Sequence, residues 1–204
     1  MSAQPFVPRS RRVQMLRALF ALIAAAVVIF WQQKSWSFGL TVFACWAIAT
    51  AIVLGLGARA ERSGRLALLL AVVYVVAGVA SALPPLRGSL TFWILVPIWA
   101  LLAGIVELVI AIRQRRAKDA EGGDSLLVAI LTLIIGAAVL VVPHGYDLHY
   151  FVNEAQQWFS LTGDIIAVGL FGGYLAVVAV FLGIAAFSPR TTSEPVVAAA
   201  GEHS

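Results

Sequence analysis

One acidic side chain stands where acids are rarely found. Glu107 interrupts the run IWALLAGIVELVIAIRQRR at 98–116, which is otherwise apolar until its arginine cluster. A carboxylate within hydrocarbon serves a proton or ion path, or is held by a partner, because lipid offers it neither charge nor hydrogen bonds. Glu107 lies six residues before Arg113, which puts it about 9 Å inside the end of its helix at 1.5 Å per residue. Ala100, Ala103, Gly104, Glu107 and Ala111 recur at helical spacing, and such a small-residue stripe faces other helices because it lets backbones approach. Two roles stay open: a proton- or ion-linked residue, or a structural carboxylate bonded to Gln114 or to an arginine at the helix rim.

A second group of chemistry-bearing residues is His144, Asp147 and His149. Imidazoles can ligate a metal or titrate in the acidic range. The spacing supplies no third strong ligand and no HExxH pattern, so these are weak metal candidates and no metal or cofactor is expected. Ser160 adds the residue types of a hydrolase triad without a nucleophile-elbow context. Cys45 is the one cysteine, which excludes an intramolecular disulfide. No catalytic constellation emerges, and the chain reads as a non-enzyme.

The elements that must position these residues follow from composition. Of the 204 residues 61% are hydrophobic and 12% charged, against roughly 45–50% and 25% in soluble domains. Six stretches approach the roughly 20 apolar residues needed to span a bilayer: 16–36, 38–58, 66–86, 90–112, 125–143 and 163–187. The expected fold is an all-α integral membrane protein, its six transmembrane helices arranged as three tandem helical hairpins within 16–190. Arg17 is expected to snorkel from the first span toward the interface. Residues 1–15 form a basic tail and 191–204 an Ala-rich one, both without hydrophobic period and expected to be flexible.

All 14 basic residues except Lys34 and Arg87 fall on one side of these spans, and the positive-inside rule then puts both termini in the cytoplasm. Trp31, Trp36, Trp93 and Trp158 gather at the opposite ends, as interfacial indoles do. The formal charge of +4 therefore points to anionic lipid headgroups on the cytoplasmic side and not to nucleic acid.

The connection HGYDLHYFVNEAQQWFSLTG at 144–163 is longer than the others. Leu148, Phe151, Val152, Ala155, Trp158 and Phe159 recur at helical spacing, predicting a short amphipathic outer helix in 144–162. Its apolar face would be Phe151, Val152, Trp158 and Phe159. Gly169 and Gly173 form a GxxxG, and with Gly183 and Gly104 they are candidate helix-packing positions. Pro97 should kink the fourth span.

Gly78 precedes Pro85, and Gly136 precedes Pro143, by the same interval, and the return spans all close on an arginine. With GIVELVIAIRQRR at 104–116 and the six-span plan, these segments resemble the HdeD-like acid-resistance membrane proteins, which are built on a short membrane repeat of unassigned function. The resemblance implies a bacterial inner-membrane protein, linked in some members to acid stress, with no catalytic residues to carry over. Two functions are compatible with the sequence. One is a non-enzymatic protein acting in acid or envelope stress through packing, lipid or partner contacts. The alternative is a small transporter or channel, working as a homo-oligomer, with Glu107 on its path.

Overall fold

The computed structural model describes residues 9–58, 64–117, 122–154 and 156–187. Six helices are long and apolar enough to cross a membrane: α1 Arg9–Phe30, α2 Trp36–Gly57, α3 Gly64–Ala82, α4 Ser89–Arg116, α5 Gly122–Val141 and α6 Gly163–Phe187. Their sequences are apolar on nearly every side, and a helix satisfies each backbone group internally, the condition for lying in hydrocarbon. The chain is an all-α integral membrane protein in its spans. The tails at 1–8 and 188–204 lie outside the described residues. Residues 9–15, expected to be part of a flexible tail, instead form the first turns of α1. Val13 anchors them, filling the space beside Gly57 where a Cβ would come within 2.7 Å.

α2, α4 and α6 form an inner trio, with 61, 50 and 50% of their apolar windows buried against 22, 39 and 33% for α1, α3 and α5. The outer helices pack between them. The most extensive contacts join α4 to α5, α1 to α6 and α2 to α3, while α1–α2, α3–α4 and α5–α6 touch less. The tandem hairpins expected from the sequence are thus displaced by one helix: each inner helix pairs chiefly with the outer helix that follows it, and α6 closes the ring on α1. Close approach explains two of these pairings. A Cβ on Gly78 would meet the Ile48 side chain at 2.8 Å and the Ala44 carbonyl at 3.3 Å, and one on Gly136 would meet Ala100 at 2.9 Å.

Aromatic rings fill the centre. Trp99 lies edge-on to Phe43, Trp46 and Tyr74 at centroid distances of 5.1, 5.3 and 5.4 Å, and Phe171 and Tyr174 of α6 complete the cluster. At the opposite end from the arginines, Arg87 donates to the Ser37 carbonyl and to Thr41 Oγ1, each at 2.7 Å. The backbone N–H of Trp36 donates to Asp164 at 3.3 Å, tying the start of α2 to that of α6.

The outer segment is not a helix. Asp147–Val152 (β1) and Gln157–Thr162 (β2) pair as an antiparallel hairpin, with Tyr150 opposite Phe159 and Phe151 opposite Trp158. The same apolar residues that recur at helical spacing also suit a ribbon, since Tyr, Phe, Val, Trp and Thr favour strands and gain from cross-strand ring contacts. Those contacts form: Phe151 and Trp158 lie 5.3 Å apart, and Tyr150 stacks on Phe159 at 6.1 Å. Gln156 adopts φ 51° at the turn. Gly163 N–H donates to the Tyr146 carbonyl at 2.8 Å and closes the base. Phe151, Trp158 and Phe159, expected to pack on lipid or bundle, are exposed on the ribbon, and Val152 is half-buried.

Candidate functional site

Glu107 sits on the stripe that the sequence marks out. Ala100, Ala103, Gly104 and Ala111 are buried along the same face of α4, and Glu107 itself is 5% exposed. Its Oε1 accepts from Arg17 Nη2 of α1 at 2.8 Å. Its Oε2 accepts from Thr132 Oγ1 of α5 at 2.9 Å. Thr132 Oγ1 also lies 2.9 Å from Tyr174 Oη of α6. A threonine hydroxyl carries one proton, which Thr132 shares between Glu107 and the Val128 carbonyl at 2.9 Å, so Tyr174 donates into Thr132. The chain of donors runs from α6 through α5 to α4 and ends on a carboxylate that α1 neutralises.

Arg17 therefore does not snorkel. Turning inward places its guanidinium against a carboxylate in a charge-assisted hydrogen bond, a stronger partnership than reaching toward the interface would give. Tyr74 of α3 lies within electrostatic reach of both Arg17 and Glu107, though among the described residues its hydroxyl meets no hydrogen-bond geometry. The cluster so gathers polar groups from all three outer helices, Arg17, Tyr74 and Thr132, around one acid on an inner helix. Sequence reasoning puts Glu107 inward and names a rim arginine as one partner, but misses Thr132 and Tyr174 as its relay. The signal is there, since Thr132 and Tyr174 are among the few polar residues inside spans. Gln114, the other suggested partner, presents a buried amide oxygen with no hydrogen bond among the described residues.

Beside the pair, at the arginine-rich end, a cavity of about 70 Å³ is lined by Gln14, Arg17, Glu107, Gln114, Asp124 and Ser125 together with apolar side chains. A water needs roughly 10–15 Å³ of such space, so several fit. The Gln14 and Gln114 amide oxygens and Arg17 Nε are buried with no hydrogen-bond partner among the described residues.

The symmetry of the packing is visible in the residues. Tyr74 precedes Gly78 by the interval at which Thr132 precedes Gly136, and Trp46 precedes Leu54 as Trp99 precedes Glu107. Both pairs occupy like places: Tyr74 and Thr132 face the cluster, and Trp46 and Trp99 face each other. Residues 69–141 match a family described as a short repeat of unknown function, DUF308. The DUF308 match runs through most of α3 and all of α4 and α5, and so contains Tyr74, Glu107 and Thr132 but neither Arg17 nor Tyr174. That stretch of the chain is thus similar to a short repeat. Comparison with the curated proteins and with the solved structures gives no match.

The remaining candidates are not brought together. His144 lies edge-on to Trp93 at 5.5 Å, whereas Asp147 and His149 sit on β1, 3.5 Å apart. Among the described residues no group of three or more His, Cys, Asp or Glu is placed to hold a metal. Gly104 does serve packing, for a Cβ there would meet Leu133 at 2.7 Å. Around Gly169, Gly173 and Gly183 the described residues leave open space, a Cβ at any of them meeting nothing within 4 Å. The close contact falls one residue away, at Gly172, against Val28 of α1. α4 runs on through Pro97, whose carbonyl lies 3.5 Å from the Cβ position of Gly136.

Proposed function

We propose that this chain is a non-enzymatic protein of the HdeD-like type, seated in a bacterial inner membrane with both termini cytoplasmic. It supports acid or envelope stress tolerance through packing, lipid or partner contacts. The observation that carries this reading is the engagement of both carboxylate oxygens of Glu107, one by Arg17 and the other by Thr132. A carboxylate so engaged holds helices together, and an ion path would need it free to exchange partners. The deciding experiment is complementation of a deletion strain under acid challenge. The wild-type chain should restore survival, and so should the double variant Arg17→Leu/Glu107→Leu, which removes both charges yet keeps an apolar interface. Loss of rescue by a double variant that accumulates normally would sink the structural reading, and absence of any deletion phenotype would sink the stress role.

A second reading, a small oligomeric transporter or channel with Glu107 as its proton- or ion-linked residue, is favoured by the cavity, with Gln14, Gln114, Asp124 and Ser125 in its wall, that reaches the acid. It expects the double variant to assemble and fail.

Orientation is tested separately. In a Cys45→Ala background, a cysteine placed at Gln157 on the hairpin should react with an impermeant thiol reagent in intact cells. Reaction there only after lysis would reverse the topology argued from the arginines.

A further inference from the structure

The cavity beside the Arg17–Glu107 pair is touched by every span. Arg17 of α1, Leu54 of α2, Leu70 of α3, Glu107 of α4, Val128 of α5 and Leu182 of α6 all line it. A cavity shared by six helices lies on the axis of the bundle, and the helices themselves wall it off from lipid. Its polar groups are graded along that axis. Asp124, which is exposed, and the half-buried Gln14, Gln114 and Ser125 stand in its wall at the arginine-rich end. Seven residues separate Gln114 from Glu107, so the carboxylate lies about 10 Å further in at 1.5 Å per residue. Arg17 and Glu107 keep 14 and 6% of their side-chain surface accessible, and both belong to the cavity wall.

Beyond the pair the axis closes. Trp99 lies eight residues from Glu107, about 12 Å toward the hairpin end. There Phe43, Trp99, Trp46 and Phe171 form a closed circuit of ring contacts, with successive centroids 5.1, 5.3, 5.6 and 5.6 Å apart. None of the four is more than 4% exposed, and Leu40, Phe92 and Val96 beyond them are fully buried. An interior packed in this way leaves no passage for water. Size and charge limit what enters from the open side. A volume of about 70 Å³ admits several waters or a small ion. The wall sets one guanidinium, Arg17, against two carboxylates, Glu107 and Asp124, a balance that favours cations over anions.

We infer that the axial cavity is a one-ended aqueous inlet, filled from the arginine-rich side, through which water and small monovalent cations, hydronium included, reach Glu107 from that side alone. The proton of Glu107 therefore exchanges with one compartment only. The charged and titratable groups around it are Arg17 of α1, Tyr74 of α3, Asp124 of α5 and Tyr174 of α6, while α2 contributes only Leu54 to the wall. The inference rests on the spanning fold, and holds whether the ion pair is structural or linked to transport.

Silver ion, a small monovalent cation that bonds to thiols, tests the inlet on closed membrane vesicles of both orientations. Cysteines are placed singly in a Cys45→Ala background, and thiols left free are labelled with a maleimide after unfolding. Ala117→Cys at the end of α4 and Gln157→Cys on the hairpin report which face is outermost. Leu54→Cys and Val128→Cys, both in the cavity wall, should lose their later labelling when silver meets the arginine-rich face and keep it when silver meets the hairpin face. Ala103→Cys, buried four residues beyond Glu107 and outside the wall, should keep its labelling from both. Val128→Cys changes the side-chain volume little and carries the test if Leu54→Cys does not accumulate. Labelling kept by the wall cysteines whichever face meets silver would overturn the inference, since the cavity would then be closed to water. Labelling lost from the hairpin face, or lost at Ala103→Cys from either face, would overturn it as well, because the aromatic circuit would not be a seal.

Discussion

Glu107→Leu should destabilise the bundle by about 3–5 kcal/mol, because removing one member of a buried ion pair strands the other. Arg17 has a side chain only 14% exposed, and its guanidinium would then lose the carboxylate it is paired with. Thr132 would lose one acceptor as well, keeping the Val128 carbonyl at 2.9 Å for its proton. Arg17→Leu should be comparably harmful for the mirrored reason. The double variant Arg17→Leu/Glu107→Leu should recover most of the loss, since apolar residues of similar volume often replace a buried pair at little cost. Glu107→Gln should fall between, keeping an acceptor for Thr132 while leaving Arg17 uncompensated. Thermal unfolding of the four proteins in one detergent completes the cycle. Single variants no worse than the double would mean that Arg17 and Glu107 do not act as a unit, and the ion pair would lose its role in holding α1 to α4.

Trp99→Ala should cost about 3–5 kcal/mol, the range for emptying a large aromatic from a packed core. Trp99 is 1% exposed and touches rings from α2, α3 and α6, so its removal loosens three helices at once. Trp46→Ala, at the corresponding place on α2, should fall in the same range. Trp158→Ala offers the contrast: at 71% exposed on the hairpin it should change stability by no more than about 0.5 kcal/mol. The same melting assay ranks them. A Trp158 effect equal to that of Trp99 would contradict the placement of the core at the inner trio.

The six spans are legible in the sequence because length and apolarity alone define a span. Glu107 is legible as inward-facing because Ala100, Ala103, Gly104 and Ala111 share its side of the helix. Its partners are not, because Arg17 lies ninety positions away and no local pattern says which of several helices an acid will meet. Arg17 near a helix end also fits snorkelling equally well until a carboxylate is known to be in reach. The outer segment misleads for a different reason: Leu148, Phe151, Val152, Trp158 and Phe159 satisfy a helical stripe, while Tyr150 and Leu161 beside them are apolar enough for a ribbon. The GxxxG at Gly169 and Gly173 shows how little a motif says about which face is used, since Gly172 makes the contact instead. Helix pairing differs from the expectation by one position because similar sequence intervals cannot tell whether a repeat begins on the outward or the return span.

The pairing of α6 with α1 has a consequence for how the protein is made. At synthesis rates of roughly 5–20 residues per second, α1 emerges many seconds before α6, its principal neighbour in the finished bundle. Throughout that interval the first helix must wait beside an incomplete bundle with its inner face, Ala21, Ala25 and Val28, uncovered. Glu107 arrives before Thr132 and Tyr174, so Arg17 is the earliest partner it can find in its own chain. The ion pair can thus hold α1 to α4 while the ribosome is still at work, keeping the first helix from drifting off until the last one is inserted and the ring closes.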